Sequence, residues 1–218
     1  MPSEARIRVL TVDDHPLLRE GIAAVIEDQP DMALVGEATN GREAVEMARQ
    51  LQPEVIVMDL TLPELNGLDA ARQILKDAPR IEILVLTMHH SEELARDVLQ
   101  AGARGYVLKS DADQSLIAAV KSLRDHKPFL SPNVTEFVLD DYLRRNDGSD
   151  GALADVTTRE REIIQLLAEG NSNKEAAATL GISVKTIEAH RANIMRKLRL
   201  RSVTELVRYA IRNNIVQP

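Results

Sequence analysis

Hydrophobic residues in the first half of the chain gather in five short runs separated by amphipathic stretches. The runs are rich in Val, Ile and Leu and contain few polar residues. They lie at residues 7–12, 32–35, 55–58, 83–86 and 106–108. Strands that are buried on both faces of a parallel sheet have this composition. The pattern therefore predicts five parallel strands.

The stretches between these runs have the periodicity of helices. After the first run, for example, Leu18, Ile22 and Val25 recur at helical spacing. Five strand–helix units in series predict a doubly wound, flavodoxin-like α/β domain over residues 5–124, with right-handed crossovers. Because ligands of such sheets bind at the carboxyl ends of the strands, functional residues are expected there.

The segment after this domain has a different character. Residues 125–155 contain a candidate short helix, which begins with Ser131 as N-cap and Pro132 and runs to about residue 143. The rest of the segment is polar and rich in Gly, which is typical of a flexible linker.

Residues 156–218 show helical spacing without strands. N-cap residues mark four helix starts. Thr157, Ser172 and Ser202 are each followed three residues later by Glu, the Ser/Thr-x-x-Glu pattern of a capping box, and Ser183 is a further N-cap candidate. Gly170 and Gly181 stand where helix ends need a left-handed residue. We therefore expect a small all-α domain of four helices.

Charge is distributed unevenly along the chain. The overall net charge of −7 combines −8 over residues 1–124, −4 over 125–155 and +5 over 156–218. An acidic body with a basic terminal domain is expected when only one end meets a polyanion, although uneven charge also arises by chance.

Composition excludes several kinds of protein. The absence of cysteine rules out disulfides, cysteine-ligated zinc and cysteine nucleophiles. We find no signal peptide and no apolar stretch of the roughly 20 residues that a membrane span requires. The sequence therefore predicts a cytoplasmic protein without membrane contact.

Acidic residues follow two of the predicted strands. Asp13 and Asp14 end the first run, and Asp59 ends the third. These strands are expected to be central neighbours, so three carboxylates would converge and repel one another unless a cation is present. An oxygen-rich site of this kind suits Mg²⁺.

Two further strand ends carry groups that suit a phosphoryl oxygen. Thr87 ends the fourth run and Lys109 the fifth, which adds a hydroxyl donor and a positive charge at the same edge. The set predicts an acyl-phosphate site in which Asp59 is the nucleophile, with Mg²⁺ and Lys109 neutralising the phosphoryl group. A single Asp at a strand end usually forms a turn, but five such positions together favour a site.

The first domain resembles the receiver domain of response regulators. The residues that carry the resemblance are Asp13-Asp14, Asp59-x-x-x-Pro63-x-x-x-Gly67, Thr87 and Tyr106-x-x-Lys109. It implies that Asp59 is the phosphoacceptor. It further implies Mg²⁺ bound by Asp14, Asp59 and the Thr61 backbone carbonyl, with Asp13 reaching the ion through water.

The resemblance also implies a switch. Thr87 would turn inward onto the phosphoryl group, and Tyr106 would follow it. One position departs from the usual pattern, because Ser110 stands where the family often has Pro after the lysine.

The third predicted helix of the basic domain has features of a DNA-reading helix. Small and polar residues lie away from its apolar stripe: Lys185, Thr186, Glu188, Ala189 and Ala192. Such side chains can enter a major groove and contact base edges. Basic residues that suit phosphates surround its second half, namely Arg191, Arg196, Lys197, Arg199 and Arg201. From these residues alone, a helical bundle with a solvated basic face stays an alternative.

Residues 157–215 resemble the LuxR-type helix-turn-helix of the NarL/FixJ family. The carrying stretches are Thr157-x-Arg159-Glu160-x-Glu162, Gly170-x-Ser172-Asn173-Lys174-Glu175 and Val184-Lys185-Thr186-Ile187-Glu188-x-His190-Arg191. His190 is a hallmark of the family, and Ala189 stands where Thr is usual. The resemblance implies a dimer surface on the last helix and a set of DNA contacts on the third helix. These contacts are Lys185, Thr186, Glu188, Ala189, His190, Arg191, Arg196 and Lys197.

We therefore expect a DNA-binding response regulator rather than an enzyme. A sensor histidine kinase would phosphorylate Asp59, and the phosphorylated chain would form a homodimer on double-stranded DNA. Two alternatives remain open. One is a Mg²⁺-dependent phosphohydrolase that uses Asp59, and the other is a regulator that binds DNA without phosphorylation and uses the first domain as a dimerisation scaffold.

Overall fold

The structure is a computed structural model that describes residues 6–88, 92–132, 134–135, 156–213 and 215–216. These residues fall into two compact units, which are described separately below. The described residues up to 135 form most of the first unit, and those from 156 onwards belong to the second, helical unit. Among the described residues, no helix combines the length and apolar character that a bilayer span requires.

The first unit contains one parallel sheet in the order β2-β1-β3-β4-β5-β6. Its strands are β1 (Ile7–Val12), β2 (Met32–Ala38), β3 (Val55–Met58), β4 (Glu82–Thr87), β5 (Gly105–Leu108) and β6 (Phe129–Leu130). Its helices are α1 (Pro16–Glu27), α2 (Gly41–Leu51), α3 (Gly67–Asp77), α4 (Glu92–Gln100) and α5 (Ala112–Arg124). The doubly wound fold and its five predicted strands are thus confirmed.

The sheet is buried on both faces, which explains why its strands are almost entirely apolar. Ile22 and Ile26 of α1 and Leu116 of α5 pack with Val9 and Val57 on one face. The alternate strand residues are buried as well, including Leu10, Ile56 and Ile83. Because these side chains point to the opposite face, the helices α2–α4 cover that face.

The sixth strand was not predicted, because residues 129–130 were placed in the linker. The backbone N–H of Phe129 donates to Arg104 O (3.0 Å) and that of Ser131 to Tyr106 O (3.0 Å), so β6 adds to the edge of β5. Two apolar residues are too few to produce a strand pattern, and their pairing depends on the position of β5.

Only the beginning of the predicted linker helix is described. The N–H groups of Val134 and Thr135 both donate to Ser131 O at 3.0 Å, as at the first turn of a helix. The remainder of the candidate helix and the Gly-rich stretch lie outside the described residues.

The second unit consists of four helices, as predicted: α6 (Thr158–Ala168), α7 (Asn173–Leu180), α8 (Val184–Lys197) and α9 (Val203–Arg212). Its core is aliphatic and includes Ile163, Leu180, Ile187, Ile194 and Leu206. The helices therefore bury their apolar stripes against one another.

The predicted helix boundaries of the second unit are confirmed by their caps. Thr157 and Ser172 form reciprocal capping boxes with Glu160 and Glu175, and Ser183 and Ser202 accept N–H bonds from the first turns of their helices. Gly170 (φ 91°) and Gly181 (φ 63°) adopt the left-handed conformation expected at helix ends.

Candidate functional site

Two acidic residues meet where β1 and β3 end. The strands are neighbours with Val12 opposite Met58, so Asp13 and Asp59 follow at the same edge of the sheet. The side chains of both are buried, with Asp13 1% and Asp59 5% exposed. The topology thus brings together carboxylates that are 46 positions apart in sequence.

Lys109 lies between these two carboxylates. Its Nζ donates to Asp13 Oδ2 and to Asp59 Oδ2, each at 2.8 Å. The lysine occupies the end of β5, in the three-residue turn Lys109–Asp111 that precedes α5. No peptide bond of the described residues is cis, so the Lys109–Ser110 bond is trans.

Burial and charge act in opposite directions on this pair. Burial raises the pKa of Asp59, and the attraction of Lys109 offsets this only in part. Burial would lower the pKa of Lys109, but the carboxylates of Asp59 and Asp13 outweigh it and raise that pKa. The lysine is therefore held in its charged form, and the carboxyl group of Asp59 is poorly solvated and held by hydrogen bonds.

Backbone amides of the following loop also support the Asp59 carboxylate. Leu60 N donates to Asp59 Oδ1 at 2.7 Å, and the backbone of Thr61 contributes a further hydrogen bond that lowers the pKa of Asp59. Thr61, whose carbonyl the sequence predicted as a metal ligand, lies in this loop.

Asp14 is exposed beside the buried pair, and it contacts His15. The His15 Nδ1 atom lies 2.8 Å from Asp14 Oδ1 and 3.5 Å from Asp13 Oδ1. Potential ligand atoms of Asp13, Asp14, His15 and Asp59 all lie within 4.8 Å of one another. His15 was not among the residues predicted for this site, although its place directly after the acid pair was the available signal.

The donor set fits a divalent cation. Asp13, Asp14 and Asp59 carry three negative charges in the ionised state and Lys109 one positive charge, so two negative charges remain uncompensated at this edge. Carboxylate oxygens are the ligands that hard divalent ions prefer. The acidic cluster can therefore bind a metal ion.

Arg19 was not predicted to belong to this site. Its Nη1 donates to the backbone oxygen of Asp13 at 2.8 Å, and its Nε lies 3.3 Å from Glu37 Oε2. The guanidinium thereby connects α1 to the end of β1 and to β2. Its signal in the sequence was weak, because an arginine in a first helical turn is commonly solvated.

The two predicted switch residues lie beneath the same edge. Thr87, the last residue of β4, is fully buried, and Tyr106 of β5 is 1% exposed. Burial raises the pKa of the Tyr106 phenol, and the negative charge of Asp59 raises it further. The phenol is therefore neutral and close enough to respond to the charge on Asp59.

In the second unit, one face of α8 is free of packing contacts with the core. Ile187 and Ile194 face the core. The exposed positions follow at helical spacing: Lys185, Thr186, Glu188, Ala189, Ala192, Asn193 and Arg196. The structure therefore places five of the predicted DNA-contacting residues on one exposed face. It adds Ala192, which was named only as a groove-facing residue, and Asn193, which was overlooked.

Of the three remaining predicted residues, two are half-buried, and the exposed third is held in an ion pair. His190 and Arg191 are half-buried, and Arg191 Nη1 donates to Asn173 Oδ1 at 3.3 Å. Lys197 Nζ lies 2.7 Å from Glu160 Oε2, an ion pair that ties the end of α8 to α6. Sequence spacing could not reveal this partner, because Glu160 is 37 positions away.

The turn between α7 and α8 is held from α6. Arg159 Nη1 donates to the buried Glu162 at 2.8 Å, and its Nη2 donates to Leu180 O at 3.1 Å. This bond satisfies a carbonyl at the end of α7, just before Gly181. The two helices are thereby positioned as a helix-turn-helix.

Both units match known protein families. Residues 9–121 match the family described as Response regulator receiver domain, and residues 154–210 match Bacterial regulatory proteins, luxR family.

Two characterised relatives are similar over nearly their whole lengths. Oxygen regulatory protein NreC of Staphylococcus carnosus (strain TM300) is 38% identical over 216 residues, which cover 96% of this chain and 99% of NreC. Transcriptional regulatory protein LiaR of Bacillus subtilis (strain 168) is 38% identical over 212 residues, with coverage of 96% and 99%.

A solved structure of a DNA complex is also similar. RcsB from Salmonella enterica serovar Typhimurium, bound to promoter rprA in the presence of the phosphomimetic BeF3−, matches with a TM-score of 0.59 and 25% identity. The match covers 94% of this chain and 98% of RcsB.

Proposed function

Because this chain belongs to the response regulators in which a receiver domain precedes a LuxR-type DNA-binding domain, we propose that phosphorylation of Asp59 controls its binding to DNA. The phosphodonor is a sensor histidine kinase. The phosphorylated chain then binds double-stranded DNA in the cytoplasm. The receiver catalyses only its own phosphorylation and dephosphorylation.

The contact of Lys109 with both buried carboxylates is the observation that carries this proposal. With its Nζ 2.8 Å from Asp59 Oδ2, the ammonium group is in position to neutralise an oxygen of a phosphoryl group attached to Asp59. A carboxylate oxygen of Asp59 attacks phosphorus, and the bond from phosphorus to the donor histidine nitrogen breaks as the new P–O bond forms.

Mg²⁺ is the proposed cofactor of this transfer. Asp14, Asp59 and the Thr61 carbonyl would hold it directly, and Asp13 would hold it through water. When bound, it supplies positive charge to the phosphoryl oxygens. Lys109 remains hydrogen-bonded to Asp13, and this bond keeps its ammonium group at the reacting carboxylate.

Thr87 and Tyr106 connect the phosphoryl group with the rest of the receiver. Thr87 donates its hydroxyl to a phosphoryl oxygen, and the buried Tyr106 ring follows that movement. Because burial and then the negative charge of Asp59 raise the pKa of the Tyr106 phenol, a change of that charge would alter the electrostatic field at β5. The resulting shift between two populations releases the DNA-binding domain for pairing.

The exposed face of α8 is the proposed reader of the major groove. Lys185 and Thr186 contact base edges or phosphates, and Glu188 and Ala189 contact base edges. His190, Arg191 and Arg196 contact or approach phosphates, and Lys197, which is paired with Glu160, approaches them. A single small domain makes few phosphate contacts, so a homodimer formed through α9 on a two-fold site gives the required affinity. The similar protein RcsB has been solved bound to a promoter, which supports DNA as the partner of this chain.

The test is the affinity of the full chain for a selected DNA site, with and without Mg²⁺ and beryllofluoride, beside an Asp59→Asn variant. We expect the wild type to bind more tightly and to become dimeric with the mimic, while the variant does not respond. Equal binding in all samples would leave the receiver as a dimerisation scaffold. Turnover of many equivalents of a small phosphodonor per chain would instead favour a phosphohydrolase.

A further inference from the structure

We propose that the imidazole of His15 is a nitrogen ligand of the metal ion at the acidic cluster, so that the cluster prefers Mn²⁺ and later first-row divalent ions to Mg²⁺. The inference rests on the proposed metal site and adds to it a ligand and a selectivity.

The first support is the spacing of the donor atoms. His15 Nδ1 lies 2.8 Å from Asp14 Oδ1 and 3.5 Å from Asp13 Oδ1. Two ligands at right angles, each about 2.1 Å from one ion, are about 3 Å apart. The two measured distances lie on either side of this value, so a single ion can bind the nitrogen together with one or both carboxylates.

The backbone holds His15 beside the acids. Its N–H donates to Asp13 Oδ1 at 2.9 Å, and Pro16, the first residue of α1, restricts it to an extended conformation (φ −87°, ψ 109°). The side chain is 69% exposed, so an ion can reach the nitrogen from solvent without opening the fold.

Lys109 divides the carboxylate oxygens into two sets. It binds Asp13 Oδ2 and Asp59 Oδ2, whereas Asp13 Oδ1 and Asp14 Oδ1 face His15. The side of the cluster that is turned away from the lysine therefore offers two oxygens and one nitrogen to a cation.

An imidazole nitrogen among the ligands changes which ion the cluster is expected to prefer. Oxygen-only sites suit Mg²⁺, whereas imidazole suits transition metals, whose affinities rise from Mn²⁺ towards Cu²⁺. A histidine that only donated a hydrogen bond to a metal-bound water would affect all these ions alike.

The experiment is a titration of the full chain with MnCl2, followed by electron paramagnetic resonance, with the Mg²⁺ affinity obtained by competition. We compare the wild type with His15→Asn. The matched control is His126→Asn, because His126 is also exposed (67%) and also contacts a carboxylate, Glu82, at 2.7 Å.

We expect His15→Asn to weaken Mn²⁺ binding by about tenfold and Mg²⁺ binding by less than about twofold, and we expect no change in the control. Electron spin-echo modulation from ¹⁴N should be present with Mn²⁺ bound to the wild type and to His126→Asn, and absent in His15→Asn.

Tight Mn²⁺ binding without nitrogen modulation, and with equal affinity in His15→Asn, would overturn the inference while leaving the metal site intact. An Asp14→Asn variant distinguishes failure of the proposed role of His15 from failure of the proposed metal site. If this substitution and the wild type bind Mn²⁺ equally weakly, the proposed metal site itself is wrong, and the role of His15 fails with it.

Discussion

A Cβ atom on Gly67 would lie 2.0 Å from the backbone oxygen of Asp59. The same atom would also approach Leu60 Cα to 2.9 Å, while the N–H of Gly67 donates to Leu60 O at 2.8 Å. The start of α3 is thus packed directly on the backbone that presents Asp59, the proposed phosphoacceptor. Any side chain here must displace that backbone, because the obstructing atoms cannot rotate away.

We therefore predict that Gly67→Ala lowers both the stability of the receiver and the rate of Asp59 phosphorylation. Overpacking of this kind costs about 1–3 kcal/mol. The measurements are urea unfolding and phosphorylation by acetyl phosphate. Gly21→Ala is the matched control, because nothing lies within 4 Å of its Cβ and alanine favours a helix interior. An unimpaired Gly67→Ala variant would contradict the packing described here.

Replacement of Lys109 by Met should abolish phosphorylation of Asp59 and destabilise the receiver. It leaves two buried carboxylates without their shared partner, which costs roughly 3–5 kcal/mol before any uptake of a proton. Lys121→Met removes an exposed pair with Asp31 and should cost much less, because solvent screens that pair. Equal losses of unfolding free energy in the two variants would show that Lys109 is no more than a surface cation.

Tyr106 should make the receiver less stable at high pH. Since its folded pKa is raised above the ordinary value of about 10, its neutral form contributes stability below that pH. Above it the unfolded chain ionises first, so the contribution is lost as the pH rises towards the folded pKa. The free energy of unfolding should fall less steeply for Tyr106→Phe than for wild type between about pH 9 and 12. Parallel slopes in urea unfolding would refute this.

Arg199→Gly should stabilise the second unit. Arg199 follows α8 with a φ of 55°, a conformation that costs a side-chain-bearing residue about 1 kcal/mol more than glycine. We expect a gain of up to about 1 kcal/mol in thermal unfolding. Arg199→Ala, which removes the charge but retains the strain, should leave the stability unchanged, and a matching gain in that variant would point to relief of charge repulsion instead.

Lys185 and Lys197 should differ in their effect on DNA binding. Lys185 is exposed on the face of α8, whereas Lys197 is paired with Glu160 at 2.7 Å. Lys185→Ala should therefore reduce affinity at every salt concentration, and if Lys185 contacts a phosphate it should reduce the slope of log affinity against log salt by about 1. Lys197→Ala should act mainly on the stability of the second unit. Fluorescence anisotropy at several salt concentrations distinguishes them, and a slope reduced by about 1 from the wild-type value in Lys197→Ala would make Lys197 a phosphate contact.

The strand-end rule was sufficient to predict that Asp13, Asp59 and Lys109 meet at one edge of the sheet. Asp13, Asp59 and Lys109 each follow a buried apolar run, and parallel strands bring such ends together whatever their separation in sequence. Likewise, the caps at Thr157 and Ser172 were recognisable because a capping box spans only four consecutive residues. In both cases the short sequence pattern that allows the prediction is also the physical reason for the structure.

Other features had no local signal. The strand β6 depends on an edge that β5 provides, and the contact of Arg19 with Asp13 O depends on how α1 leaves the sheet. The pairing of Lys197 with Glu160 depends on the crossing of two helices. Each involves partners whose distance is set by packing rather than by spacing along the chain.

The sequence by itself determined the order of strands and helices, the two kinds of domain and the identity of the acidic and basic edge residues. It could do so because the hydrophobic period and the cap residues act within one or two turns. Only the tertiary structure decided that Lys109 bridges Asp13 and Asp59, that His15 faces the acids and that Gly67 lies on the Asp59 backbone. These contacts join separate elements or depend on how a loop folds back, so the close packing of those elements determines them.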